Sequence, residues 1–304
     1  MNKVRVLQAS TFNQALRGVL DASVDIVSRL PLPDLKERVA NLTSGMFDFD
    51  GTLTTGSQWE AISSLLPDDL RRRDEDVRFW YWNHRFDEDV PDTTMDDPDW
   101  FIEHMLEPNR LVVDGGWAAQ TIMLYEKAEI SREQIRKAMR TLPMRTGAFL
   151  LLRQFDHRVV ISFGMEQPIQ IWLRAHQINS PVAATRLIFN DDECVAGFHP
   201  NIVASSTKGL AAQRFRTITG VRNADCLVVG DSMADISMMH DDSFNVLIIP
   251  PSEMDKKLSS FREGNLGAMW NNITMILCSD SLMPLANLIV SVRKGIPWPD
   301  RSSV

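Results

Sequence analysis

Apolar and polar positions change period several times along the chain. Between residues 10 and 29, Leu16, Leu20, Val24 and Val27 recur at helical spacing, and Pro31 and Pro33 follow the run. The pattern predicts one amphipathic helix over 10–29. A further helical turn or two is expected at 34–43, and Gly45 to Asp50 reads as the first buried strand. From Thr55 to Thr146 no strong strand signal appears. Charge and tryptophan are dense there, as in Arg71-Arg72-Arg73-Asp74-Glu75-Asp76 and Trp80-Tyr81-Trp82. Asp87 to Asp99, with Pro91 and Pro98, reads as a loop, and Glu126 to Arg140 as helical. Ser131 with Gln134 has the spacing of a capping box at a helix start. This stretch is expected to be a mostly helical insertion.

After the insertion, strand and helix patterns alternate. Strands are expected at Arg158–Ser162, Arg186–Phe189, Cys226–Val229, Phe244–Ile249 and Ile273–Leu277, with an extended stretch at Cys194–Phe198. Helices are expected at Gln167–His176, Thr207–Phe215, Met233–Met239 and Leu282–Val292. Strands alternating with helices predict an α/β fold with a doubly wound parallel sheet.

Length and composition narrow the function classes. The chain has 304 residues, enough for one large core or a core with an inserted module. Its net charge of −8 gives no electrostatic support for binding a nucleic-acid polymer. No apolar run is long enough to span a membrane. Lys3, Arg5 and Arg17 precede the first acid, Asp21, as in a transit peptide, but the helical spacing assigns the segment to a packed helix. Cys194, Cys226 and Cys278 are far apart and lack C-x-x-C spacing. That argues against a disulfide framework or zinc cluster and fits a reducing, cytoplasmic setting.

The candidate chemistry begins at Met46-Phe47-Asp48-Phe49-Asp50-Gly51-Thr52-Leu53-Thr54. If the strand runs through both aspartates, Asp48 and Asp50 share one face, by the period of two. They then lie at the strand's C-terminal end, where open α/β sheets place ligands. Two close carboxylates repel unless a cation lies between them or one is protonated. Either condition suits metal-assisted phosphoryl transfer. An N-cap Asp and a turn Asp around Gly51 would give the same letters.

Three further stretches fall where a phosphate site would need them. Ser162-Phe163-Gly164 follows a strand and offers a hydroxyl and backbone N–H groups, although Ser162 would also serve as a helix cap. Lys208, in Ser205-Ser206-Thr207-Lys208-Gly209, opens a helix. The macrodipole disfavours a cation there unless carboxylates and a phosphate hold it, and the ordinary alternative is a solvated lysine. Val229-Gly230-Asp231-Ser232-Met233-Ala234-Asp235 follows a buried strand. Its aspartates are hard oxygen ligands suited to Mg²⁺, or Asp231 is an N-cap.

Taken in order, D-x-D-G-T, a strand with Ser, a Lys and G-D-S-x-x-D, the chain resembles the haloacid dehalogenase (HAD) superfamily. That resemblance implies a Rossmann-like core at 1–54 and 147–304 and a helical cap at 55–146, which closes over the substrate. It makes Asp48 the nucleophile and Asp50 the acid/base. Ser162, Phe163 and Gly164 would bind phosphate oxygens, with Lys208 neutralising charge. Asp48, Asp50 (through its carbonyl) and Asp231 would hold Mg²⁺, and Asp235 would act behind them. Asp50 favours phosphate-ester hydrolysis over dehalogenation. Phosphonate cleavage would need a cap lysine, and Lys127 and Lys137 read as helix surface.

Val160-Ile161-Ser162-Phe163-Gly164-Met165, Gly230 to Met238 and Ser279-Asp280-Ser281-Leu282 through Asn287 resemble segments of the pyrimidine 5′-nucleotidases, the cytosolic 5′-nucleotidase III family. This implies a Mg²⁺-dependent 5′-nucleotidase acting on small phosphorylated substrates, nucleoside monophosphates first. In the cap the likeness is weaker: Trp100, Glu103 and His104 are the nearest counterparts of base-reading residues, in a different order. The alternatives are a phosphatase for a non-nucleotide such as phosphoserine, and a catalytically silent binding protein of the same fold.

Overall fold

The computed structural model describes residues 4–21, 24–84, 110–201, 203–255, 257, 259 and 270–296. Two compact units divide the chain. The first comprises Met1–Thr55, Met144–Ile161 and Gly209–Val304; the second comprises Gly56–Pro143 and Ser162–Lys208. The second unit thus takes up Ser162–Lys208 as well as the segment expected to be an insertion.

The first unit is built on a mostly parallel sheet. Its strands are β1 (Val6–Gln8), β2 (Ile26–Ser28), β3 (Ser44–Phe47), β4 (from His157), β8 (Cys226–Gly230), β9 (Phe244–Ile248) and β10 (Met275–Leu277). They run in the order β1-β2-β10-β9-β8-β3-β4. Only the β2–β10 pair is antiparallel among the pairs described here. The central strands β3, β8 and β9 are buried along their whole length. Their near-continuous apolar runs are what a strand covered on both faces requires. Helices connect them: α1 (Phe12–Leu20), α2 (Leu32–Ala40), α7 (Ala148–Leu152), α9 (Lys208–Thr219, from Gly209 in this unit) and α10 (Met283–Arg293). This is the doubly wound α/β class.

The second unit is helical around a small hairpin. It holds α3 (Gln58–Ser63), α4 (Asp68–His84), α5 (Arg110–Lys127), α6 (Arg132–Thr141) and α8 (Glu166–Ala175). Strand β5 (Val182–Thr185) also belongs to it, and β6 (Leu187–Phe189) pairs antiparallel with β7 (Val195–Phe198). Asp74 of α4 is fully buried, where it pairs with Arg78 at 2.9 Å and accepts the Thr121 hydroxyl of α5 at 2.5 Å. Ser131 caps α6 as expected: its hydroxyl accepts the Gln134 N–H at 3.3 Å, and the Gln134 side chain accepts the Ser131 N–H at 2.8 Å.

Three expectations change. The helix predicted over 10–29 ends at Leu20, and Ile26-Val27-Ser28 forms strand β2 instead. Val27 repeats at helical spacing, but its β-branched neighbourhood fits the pleat between β1 and β10 better. The segment Met233–Met238 is a 3₁₀ turn, not an α-helix, because Asp235 is drawn back onto the preceding loop. Strands β1 and β5 were not foreseen; both are short and carry little periodicity. The three cysteines are free, with Cys226 and Cys278 buried, and no described helix is long and apolar enough to cross a membrane.

Candidate active site

The register of β3 and β8 sets the site. Phe47 lies opposite Val229 in parallel pairing, and Asp48 N–H still donates to Val229 O at 2.9 Å. One step beyond this last pair, β3 delivers Asp48 and β8 delivers Gly230-Asp231 at the same edge. Strand β3 ends at Phe47, however, so the two aspartates of D-x-D do not share a strand face. Asp48 is buried and Asp50 half-buried at a turn. The N–H groups of Leu53 and Thr54 both return to Phe49 O, at 2.9 and 3.2 Å. Gly51 makes that turn with φ +75°, and a Cβ there would lie 2.8 Å from Asp231 Cγ. Positive φ and close approach both demand glycine at this position.

Arg145 locks the loop from beneath. It is 2% exposed, and its guanidinium donates to Thr52 O at 3.1 Å, Gly51 O at 2.6 Å and Asp280 O at 2.9 Å. Burial lowers its pKa from the ordinary arginine value, while Asp231, Glu253 and Asp280 work in the other direction. An arginine stays charged under such a shift.

On the β8 side, Asp235 organises the loop. Its Oδ2 accepts the Asp231 N–H, the Ser232 N–H and the Ser232 hydroxyl, each at 2.9 Å. Gly230 allows this approach, because a Cβ there would lie 2.7 Å from that same oxygen. Lys257 forms an ion pair with Asp231 Oδ2 and donates to Asp231 O at 2.8 Å. Burial disfavours its ammonium, but Asp231, then Glu253 and Asp235, outweigh that and raise its pKa above the ordinary lysine value.

Asp48, Asp231 and Asp235 each bring a carboxylate oxygen into one group within 4.8 Å of one another, and all three are buried. Buried carboxylates this close repel unless a cation joins them. An all-oxygen donor set of this kind fits a hard divalent cation such as Mg²⁺. Asp48, Asp231 and Asp235 are thus the described carboxylates that could hold such an ion, and Asp235 Oδ2, which already accepts three hydrogen bonds, fixes the loop that carries Asp231.

The remaining expected residues lie elsewhere in the chain. Ser162, Phe163, Gly164 and Lys208 belong to the second unit. Ser162 is inside β4, which continues to Met165, and its hydroxyl accepts the Gly164 N–H at 3.1 Å; it does not cap α8. The Met165 N–H goes to Gln58 Oε1 at 2.8 Å, so these two amides are engaged within the unit. Phe163 packs on Trp117 at 5.3 Å, and Trp117 on Trp59 at 4.7 Å. Lys208, only 2% exposed, is not the solvated lysine that its position allowed. A lysine is almost never buried unless it is paired. Trp100, Glu103 and His104 lie outside the described residues. Lys127 and Lys137 are exposed, as expected of helix surface.

Comparison with known families supplies the frame for these motifs. The model of the haloacid dehalogenase-like hydrolases matches residues 46–240, more than half of the chain. The chain belongs to this family. Among solved structures, it is similar to a cytosolic 5′-nucleotidase IIIB bound to cytidine. The TM-score is 0.60 at 17% identity, over 92% of this chain and 97% of that one. A phospho-aspartyl intermediate analogue of phosphoserine phosphatase gives a TM-score of 0.50 at 15% identity, over 71% and 90%. A phosphoserine phosphohydrolase-like protein from Francisella tularensis subsp. tularensis SCHU S4 gives 0.52 at 15%, over 82% and 100%. These likenesses are likenesses of fold: that of HAD phosphatases. No curated protein sequence matches the chain.

Within this HAD fold, Arg145 and Lys257 are the residues that the motifs did not signal. Arg145 sits in Leu142-Pro143-Met144-Arg145-Thr146-Gly147, and no spacing ties it to D-x-D-G-T. Replacing it with Met removes three charge-assisted hydrogen bonds and leaves backbone carbonyls unpaired. Arg145→Met is therefore expected to cost roughly 3–5 kcal/mol of stability. Urea unfolding followed by far-UV circular dichroism measures this, and a loss under about 1 kcal/mol would remove Arg145 from its role as anchor.

Proposed function

We infer that the protein is a Mg²⁺-dependent phosphomonoesterase working through an aspartyl phosphate on Asp48, with a nucleoside 5′-monophosphate as substrate. The observation that carries the chemistry is the buried Asp48–Asp231–Asp235 group, whose carboxylate oxygens lie within 4.8 Å of one another at the ends of neighbouring parallel strands. Mg²⁺, held by Asp48, Asp231 and the Asp50 carbonyl, would offset the negative charge of the phosphoryl group. The chain's own residues then divide the work. An Asp48 carboxylate oxygen attacks phosphorus, and the ester P–O bond breaks as Asp50 gives its proton to the departing alcohol oxygen. Water next attacks phosphorus and passes its proton to Asp50, and the bond to Asp48 breaks, releasing phosphate and restoring both carboxyl groups. Ser162, Phe163, Gly164 and Lys208 enter the proposal as phosphate-binding residues on the order of the motifs and on their own burial. Burial makes a fixed cation more effective on a phosphoryl group than it would be in water.

The nucleotide reading rests on the tail and motif segments shared with the 5′-nucleotidase III family. It also rests on the reach of the likeness to the 5′-nucleotidase structure, wider than that to the phosphoserine phosphatase structure. Segment 55–146 is proposed as the cap that selects the substrate, with Trp100, Glu103 and His104 contacting the base. The likeness to phosphoserine phosphatases supports a second reading, a small phosphorylated amino acid. Phosphate release from a panel of nucleoside monophosphates, phosphoserine and p-nitrophenyl phosphate separates them. At least one nucleotide should exceed phosphoserine in kcat/KM by about tenfold or more. Phosphoserine ahead of every nucleotide would transfer the assignment, and no release from any ester would leave only a binding protein.

A further inference from the structure

A cationic groove in the second unit is untouched by the proposed chemistry. It has a volume of about 370 Å³ and lies along α6 and α8, lined by Arg132, Arg136, Arg140, Gln167, Gln170 and Arg174 together with Ile171 and Ala175. In a chain of net charge −8, four guanidinium groups line one groove and no carboxylate does. The helix explains the row: Arg132, Arg136 and Arg140 are successive i, i+4 neighbours on one stripe of α6. The adjoining stripe, Ile135, Ala138 and Met139, is buried. Helix α8 likewise buries Ile169, Trp172 and Leu173 and leaves Arg174 outside. Like charges four residues apart on a helix repel. The row therefore works against the isolated helix and is relieved by an anion.

The acids nearby meet only half of this charge. Arg132 pairs with Glu193 and lies over the Phe189 ring at 4.2 Å, which fixes its plane. Arg136 pairs with Glu133 on the exposed surface, and Glu166 accepts the Gln170 amide at 2.7 Å. Among the described residues neither Arg140 nor Arg174 has an ion-pair partner, and both are exposed. Guanidinium forks match phosphate oxygens in a bidentate way, and arginine is the residue preferred for that geometry. The groove offers no aromatic face on which a base would stack, so it reads charge and not a nucleobase. From Arg132 to Arg140 the helix rises about 12 Å, longer than one phosphate group. The volume is that of a small-molecule site.

We propose that this groove binds a small molecule bearing a chain of linked phosphates, at a site separate in its residues from the aspartate motifs. Isothermal titration of the full chain with sodium tripolyphosphate tests this, in EDTA and at fixed ionic strength so that metal chelation plays no part. Saturable binding is expected, at least about tenfold tighter than orthophosphate. The double variant Arg140→Gln/Arg174→Gln should weaken it by about tenfold or more while keeping its thermal unfolding midpoint. Arg153→Gln, outside the groove, should leave binding unchanged. Three results would overturn the proposal: no saturation below about 1 mM, equal binding by the double variant, or a glutamate-rich peptide binding as tightly as tripolyphosphate. The last would mark a surface for an acidic protein.

Discussion

Asp48→Asn is expected to lower phosphate release from any accepted ester by a factor on the order of 10⁴ or more, with the fold intact. The amide keeps the volume and removes the charge proposed to attack phosphorus. Asp48 already sits beside two other buried carboxylates, so neutralising it lowers the repulsion there and should not unfold the chain. A steady-state assay, with circular dichroism as the folding control, measures both halves. Turnover within about tenfold of the parent would assign the attacking group to another residue. The same substitution at Asp50 acts differently. It removes the proposed proton donor, so its cost should shrink for esters whose alcohol leaves easily, such as p-nitrophenyl phosphate.

Removing divalent cations should have the second largest effect. EDTA is expected to abolish turnover and added Mg²⁺ to restore it. Titrating the metal-free protein with Mg²⁺ should give a binding isotherm that Asp231→Asn weakens by about tenfold or more. The physical basis is the concentration of buried negative charge around Asp231, against which the structure sets Lys257. One ammonium offsets one carboxylate; a phosphoryl group arriving with further negative charge needs more. Turnover that survives exhaustive chelation would contradict the role given to Asp231.

Much of the fold was legible because burial writes itself into the residue pattern. The apolar runs at Gly45–Phe47, Cys226–Val229 and Phe244–Ile248 are strands because strands covered on both faces admit little else. Ser131 and Gln134 announced a helix start because a cap is a local exchange between two side chains and two backbone amides. Local reading failed where two periods competed. Val24 and Val27 fit a helix continued from Leu20, but a strand between β1 and β10 took residues 26–28, a choice made by residues far away in sequence.

The sequence by itself singled out the residues proposed to carry the chemistry: aspartates at two strand ends, the glycine that lets one approach the other, and their order along the chain. Glycine and aspartate at such places are demanded by turn geometry and charge, which are local. Only the tertiary structure decided what surrounds them. Arg145 comes under the Asp48 loop from the segment before α7, and Lys257 reaches Asp231 from beyond β9. Asp235, expected to act behind the other aspartates, spends one oxygen on the backbone and hydroxyl of its own loop. A cation or an anion finds its partner through space, with no period along the chain to record the meeting. For that reason the anchors of the site, and the arginine groove on α6 and α8, became visible only when the chain was folded.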